Sequence, residues 1–321
     1  MKTAVKTLDD LASLRAGGID LLICSASFEE RCLSIPLRLA PEQVNRVAIM
    51  SAGRQEAHVS QNLDQLLEHF GTKAVHLSCS LDDPICTFDV AARELEQSGL
   101  QSGHDAVWID MSTLTHEWVL MLYHILCERL PRAHPVRFLY NRAAEYALGL
   151  PSTSKWLSQG IREVRSVLGY PGALTAQAMH LILLVGFEFE RALALIETYE
   201  PHRISLGRAD LSESNAAAHA EAEAWHASRV RDARGETREF RFPAYDVEGT
   251  TLVLEDVIAS SEEALSTVIA PMNTKLSTLG VACLAKQRSE IQVCYAQPVM
   301  YNYTAYSQPG QELYVVECEL G

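Results

Sequence analysis

The sequence predicts an α/β fold made of two tandem Rossmann-like domains with mainly parallel sheets, the product of an internal duplication. Three observations predict it. Ordered internal matches recur at offsets near 160, strand and helix patterns alternate within each copy, and several strands are continuous apolar runs.

The first copy opens at Asp20 to Leu33 (DLLICSASFEERCL) and the second at His180 to Leu193 (HLILLVGFEFERAL), so that Arg31 matches Arg191 at an offset of 160. Pro41 and Pro201 keep that offset, and each precedes a similar strand, Arg46 to Ser51 and Arg203 to Gly207. Met111 matches Met272 at 161, and Tyr140 matches Tyr295 and Tyr146 matches Tyr301 at 155. The drop falls in the loop Arg129 to Pro135, which is longer in the first copy. Matches that stay in order with loop-sized drift are the mark of a repeated unit.

Taken in order, residues 1–14 read as an amphipathic helix with Lys2, Lys6, Asp9 and Asp10 on its polar side. Leu21 to Ser25 is a continuous apolar run, as a parallel strand buried on both faces requires, and Glu29 to Leu39 follows with helical periodicity. Ala48 to Ser51 is a second strand, and Val59 to Phe70 a helix stopped by Gly71. Then come strand Ala74 to Ser78, helix Phe88 to Gln97, strand Ala106 to Asp110, helix Leu114 to Leu130 and strand Val136 to Tyr140. The second copy follows the same order. Alternation of this kind implies parallel strands joined by right-handed crossovers.

The turn-rich stretch Leu157 to Gly172 is a natural boundary, with Arg162 to Leu168 a strand of either unit. The expected organisation is therefore an N-terminal helix (1–19), a first Rossmann-like domain (20–156), a linker and boundary segment (157–175) and a second domain (176–321). Arg229 to Arg241 carries five arginines interleaved with Asp232, Glu236 and Glu239, and reads as a solvated loop leading into a strand rather than a phosphate site.

Composition excludes several classes of function. The chain has 321 residues, 48% hydrophobic and 21% charged, which is a globular mixture. Lys plus Arg is 27 against 41 for Asp plus Glu, a formal charge of −14 that argues against general DNA binding, which relies on a basic surface. No apolar stretch approaches the roughly 18 residues that span a bilayer, and residues 1–14 lack a secretory leader pattern, so the expectation is a cytoplasmic protein with no membrane contact. The eight cysteines form no CxxC pair and several sit in apolar runs, which reads as reduced, buried thiols; no metal and no cofactor is implied.

In open α/β sheets ligands bind beyond the carboxyl ends of the strands. Two clusters fall there. The first is Ser25, Ser27 and Arg31, with Glu29 and Glu30, matched by Gly186, Glu188 and Arg191, with Glu190. A small residue lets backbone approach a ligand and an arginine reaches phosphate; equally, the glutamates favour the helix start and the arginine pairs with them. The second is Ser112, Thr113 and Thr115, with Asp110, His116 and Glu117, matched by Asn273, Thr274 and Lys275. Such side chains suit phosphate or ribose, and suit plain N-caps as well. Tyr301, Tyr303 and Tyr306 could stack on a base.

With a small residue after the first strand (Ser25, Gly186) and a polar, lysine-containing turn after a later one (Asn273 to Lys275), the chain resembles the CARF-type Rossmann-like sensor domains of prokaryotic defence systems. That resemblance implies a cyclic oligoadenylate ligand, a homodimer and, since two copies use up the chain, a separate effector protein as partner. The copies differ where Leu114 stands opposite Lys275, and Ile109-Asp110 opposite Ala270-Pro271.

GxxxxGK[ST], GxGxxG and GxSxG are all missing from the sequence. Three functions follow: a nucleotide-binding or second-messenger-sensing protein, a non-catalytic interaction module that has lost its ligand, and a nucleotide phosphodiesterase using Asp110, His116 and Glu117 as acid–base groups.

Overall fold

A computed structural model describes residues 1–14, 18–52, 57–100, 106–131, 134–146, 156–173, 178–210, 224–225, 227–232, 237–260 and 264–320. Arg234 and Glu236 of the arginine-rich run, residues 15–17 and 174–175, and 132–133 of the first copy's longer loop lie outside these. The chain divides into two compact units, one formed by Met1–Glu145 with Ser307–Gly321 and the other by Tyr146–Tyr306.

The strands are β1 (Lys2–Thr7), β2 (Ile19–Ser25), β3 (Val44–Ser51), β4 (Ala74–Ser78), β5 (Val107–Asp110), β6 (Pro135–Tyr146), β7 (Ser158–Pro171), β8 (Met179–Leu184), β9 (Arg203–Ala209), β10 (Arg238–Phe242), β11 (Ser266–Pro271), β12 (Gln292–Tyr301) and β13 (Ser307–Glu319). The described α-helices used below are α1 (Arg31–Ser34), α2 (Ala57–Phe70), α3 (Pro84–Gln97), α4 (His116–Arg129), α5 (Phe189–Tyr199), α6 (Val247–Ala259) and α7 (Lys275–Gln287).

The first sheet has the order β1-β13-β6-β5-β2-β3-β4 and the second β10-β9-β8-β11-β12-β7. Read from β13 and from β7, the two orders are the same strand for strand. Pairs β2–β3, β3–β4, β2–β5 and β5–β6 are parallel, as are β8–β9, β9–β10, β8–β11 and β11–β12. These are doubly wound, Rossmann-like sheets whose chain direction switches between β2 and β5 in one unit and between β8 and β11 in the other. Leu21, Leu22 and Cys24 of β2, and Leu181 to Leu184 of β8, are fully buried, as two-sided parallel strands require. Each such aliphatic side chain contributes about 1.5–3 kcal/mol by leaving water.

Three expectations need correction. Residues 2–7 form a strand, not a helix: Thr3, Val5 and Thr7 are β-branched and alternate, and β1 pairs antiparallel with β13 from Lys2↔Glu317 to Thr7↔Glu312. Leu8–Leu14 then forms a 3-10 helix that buries Leu8 and Leu11. Second, the segment 157–175 is no linker, since Ser158–Pro171 is a 14-residue strand antiparallel to β12. Third, the C-terminal strand β13 belongs to the first unit and not to the second copy. Each unit thus recruits the strand that follows the other unit's last parallel strand, so β6 leads into β7 of the second sheet and β12 leads into β13 of the first.

Smaller differences have local causes. The helix expected over Glu29 to Leu39 stops at Ser34 because Pro36 cannot continue it, and a 3-10 turn Pro36–Arg38 follows. Helix α3 begins four residues earlier than Phe88, with Pro84 at its first position and Asp83 as cap, accepting from Cys86 N at 2.9 Å. The arginine-rich run is held internally: Arg231 and Arg208 both pair with Glu239 at 2.7 Å, and Arg229 lies over the rings of Phe189 and Trp225. All eight cysteines are free; Cys127 is partly exposed and Cys86 exposed, unlike the six buried ones.

Candidate functional site

The carboxyl ends of β2 and β5 carry the first unit's candidate residues. Ser25, the last residue of β2, and Thr113, in the loop after β5, join hydroxyl to hydroxyl at 2.6 Å across the switch point. Ser27 accepts from Glu29 N at 3.4 Å with its hydroxyl, and its carbonyl accepts from Asn62 Nδ2 at 2.8 Å. Thr115 is the N-cap of α4, accepting from Trp118 N at 3.1 Å, and His116 and Glu117 are buried in the helix's first turn. For Thr115 the capping role fully accounts for the residue type.

Asp110 ends β5 and is 2% exposed; its Oδ1 accepts from Ser112 N at 3.0 Å and from Ser112 Oγ at 2.5 Å. Ser112 Oγ in turn accepts from Asn141 N at 2.8 Å. Burial pushes the Asp110 carboxyl up to about 6, against the opposing pull of the Ser112 hydrogen bonds and the positive charge of Arg31. The hydrogen bonds described for this carboxylate come from Ser112, while His116 and Glu117 lie one turn on, in the start of α4.

In the second unit the same switch point is closed by backbone. Asn273 Nδ2 donates to Val185 O at 2.5 Å, and a Cβ placed on Gly186 would lie 2.3 Å from Met272 O. The missing side chain at Gly186 therefore allows a close loop-to-loop contact within the protein. Thr274 caps α7, accepting from Ser277 N at 3.0 Å while its hydroxyl donates to Ala244 O. Lys275 is the first residue of α7 as His116 is of α4, so matching the caps sets His116, not Leu114, opposite Lys275.

Both arginines are buried, and both pair with a nearby carboxylate. Arg31, 3% exposed, holds Glu29 Oε2 through Nε at 3.0 Å and Nη2 at 2.8 Å; its Nη1 donates to Asn141 O at 2.9 Å. Ser307 Oγ accepts from Arg31 Nε at 2.9 Å and donates to Glu29 Oε2. Arg191, also 3% exposed, meets Glu188 Oε2 through Nη1 at 2.8 Å, and Ser158 Oγ donates to Glu188 Oε1 at 2.8 Å. The Tyr295 ring covers the Arg191 guanidinium with its centroid 4.8 Å away, and Tyr295 and Tyr301 share a hydroxyl contact at 3.2 Å. Tyr301 lies 6.5 Å from Tyr303 and 6.2 Å from Tyr306, ring to ring.

Sequence reasoning overlooked Ser158, Ser307 and Tyr295 as members of these clusters. A signal existed: Ser158-Gln-Gly160 and Ser307-Gln-Pro-Gly310 are a further repeat, at an offset of 149. Among the described residues no group of three or more His, Cys, Asp or Glu side chains could hold a metal ion, and no helix is long and apolar enough to cross a membrane.

No protein-family model matches the sequence, and no curated protein matches it. Among solved structures, the chain is similar to an O-methyltransferase family protein from Burkholderia thailandensis, with 13% identity and a TM-score of 0.25 over 41% of this chain and 36% of that one. It is also similar to the NADP-bound N-domain of a bacterial malonyl-CoA reductase, with 8% identity and a TM-score of 0.30 over 85% of this chain and 79% of that one. A third similarity is to an rRNA methylase from Streptococcus thermophilus, with 12% identity and a TM-score of 0.24 over 49% of this chain and 86% of that one. The chain spans about a third of the Burkholderia methyltransferase's length.

Proposed function

We propose that this protein binds a nucleotide-type second messenger through its duplicated Rossmann-like units and passes the signal to a separate effector protein in prokaryotic defence. The observation that supports the reading is the repeated cluster of buried arginine, glutamate and serine beyond the first parallel strand of each unit, Arg31–Glu29–Ser307 and Arg191–Glu188–Ser158. Doubly wound sheets bind their ligands at that end. The CARF-type resemblance points to cyclic oligoadenylates as the first compounds to try.

Thermal denaturation of the full chain against mono-, di- and cyclic nucleotides tests the proposal. A ligand that binds the native state alone stabilises it by about 2.7 kcal/mol at 100 times its dissociation constant. Absence of stabilisation by every nucleotide at millimolar concentration overturns the reading.

A further inference from the structure

The two arginines use different edges of the guanidinium. An arginine grips an oxyanion side-on with Nε and Nη2, whose N–H bonds lie parallel on one edge. In the first unit this fork is filled, because Nε and Nη2 of Arg31 both reach Glu29 Oε2, at 3.0 and 2.8 Å, and Ser307 adds a further acceptor on Nε. In the second unit Glu188 engages Nη1 instead, at 2.8 Å, and Nε and Nη2 of Arg191 are buried without a hydrogen-bond partner among the described residues.

Glu188 cannot swing across without loss, since its other oxygen accepts from Ser158 Oγ at 2.8 Å. Buried polar groups are rarely left unmade, so two orphaned donors on one edge of a guanidinium are an exception that calls for an acceptor. The first unit supplies the pattern of what fits there, an anionic oxygen. The surroundings in the second unit are aromatic: Tyr295 covers the guanidinium, and half-buried Tyr301 continues from it toward Tyr303 and Tyr306.

We propose that the second unit holds a phosphate-binding site on the Nε/Nη2 fork of Arg191, with Tyr301 and its neighbouring tyrosines forming a wall for the attached nucleoside, while Arg31 in the first unit is the same device closed by Glu29. This deepens the nucleotide-binding reading and rests on it for the nucleoside. It also divides the labour between the copies, one built for structure and one for ligand.

The test uses the full chain as wild type and as Arg191→Lys, Arg46→Lys and Tyr301→Leu, titrated calorimetrically with inorganic pyrophosphate, ATP, 5′-AMP and cyclic tetraadenylate. Pyrophosphate and at least one nucleotide bind the wild type. Arg191→Lys keeps the charge but has no fork, and weakens both by about tenfold or more. Arg46→Lys, a change in the first unit at a residue that pairs with Glu94 and belongs to neither cluster, leaves affinity within about twofold. Tyr301→Leu weakens the nucleotide and spares pyrophosphate.

Undiminished binding by Arg191→Lys overturns the site and leaves the nucleotide reading standing. Pyrophosphate binding that Arg191→Lys abolishes, with no nucleotide bound, overturns the nucleotide reading and leaves an oxyanion site. No binding of any probe overturns both. If Arg191→Lys does not fold, the arginine Nε–H NMR spectrum of wild type and Arg31→Lys decides: saturating pyrophosphate shifts one protected signal present in both, and a spectrum that does not change overturns the proposal.

Discussion

Ser158 and Ser307 hold the same position in the two units: each is the first residue of the strand recruited from the other copy's chain end, and each donates its hydroxyl to the carboxylate paired with a buried arginine. Ser307 also accepts from Arg31 Nε at 2.9 Å, whereas the hydrogen bond described for the Ser158 hydroxyl is the one to Glu188 Oε1, at 2.8 Å. A hydrogen bond to a charged group contributes about 1.5–3 kcal/mol. Ser158→Ala is therefore predicted to destabilise the protein by about 1.5–3 kcal/mol and Ser307→Ala, which loses two such bonds, by more, read from urea denaturation followed by tryptophan fluorescence. Equal, negligible effects would remove the serines from the account of the clusters.

The recruited strand β13 carries a larger share of the first unit. Leu313, Val315, Val316 and Cys318 are all at most 3% exposed, and Leu313 and Val315 join the core with Leu22, Ile49 and Leu63. Ending the chain at Tyr306 removes that core face and the partner of β1. The prediction is loss of amide protection in β2, β3 and β5, with Trp108 and Trp118, both in the first unit, moving to the emission of water-exposed indole. Protection lost instead from β8 and β11 would return residues 307–321 to the second copy.

The parallel strands were legible because each advertises itself: Leu21 to Cys24 and Leu181 to Leu184 are apolar without interruption, and burial on both faces leaves no other pattern. Strand β7 was legible only in part: Arg162 to Leu168 reads as a strand, but exposed residues such as Arg162 and Glu163 break any apolar pattern that would show its full length or its sheet, and its counterpart lies at the far end of the chain, out of step with the offsets of 155 to 161. At the site, the residue types of Thr115 and Thr274 suit caps and ligand contacts alike, and both residues cap a helix. Which guanidinium edge each arginine offers depends on a rotamer, and no sequence pattern encodes it.

Gly186 gives a sharper test of loop packing. Its counterpart by the arginine offset is Ala26, which the first unit accommodates as a buried residue, 4% exposed. In the second unit a Cβ at 186 would meet Met272 O at 2.3 Å, and the turn from Met272 to the Thr274 cap is two residues shorter than that from Met111 to Thr115. Gly186→Ala is predicted to cost about 1–3 kcal/mol by forcing the two loops apart, and Ala26→Gly less. A neutral Gly186→Ala in thermal denaturation would show that the loops separate freely.

Acid should act on the two units in opposite directions. Asp110 is raised by burial from the usual 3.8 to about 6, so the folded first unit binds a proton that the unfolded chain releases. Its contribution to stability is full below about 4 and is lost as pH rises through 6. His180, 1% exposed and bonded to Ser205 Oγ at 2.8 Å, is lowered from 6.5 to about 4 by burial and then by Arg203 and Arg238. The neutral imidazole contributes stability above 6.5 that is lost as pH falls toward 4. Each term is on the order of 3 kcal/mol at the far side of its window. Between pH 6.5 and 4, acidification should strengthen the first unit through Asp110 and weaken the second through His180, and hydrogen exchange of β5 and β8 amides across that range reads both. Asp110→Asn should flatten the response of β5 and leave that of β8, because Asn keeps the acceptor for Ser112 and has no proton to lose; an unchanged β5 response in that variant would show that Asp110 is ionised in the folded unit throughout the range.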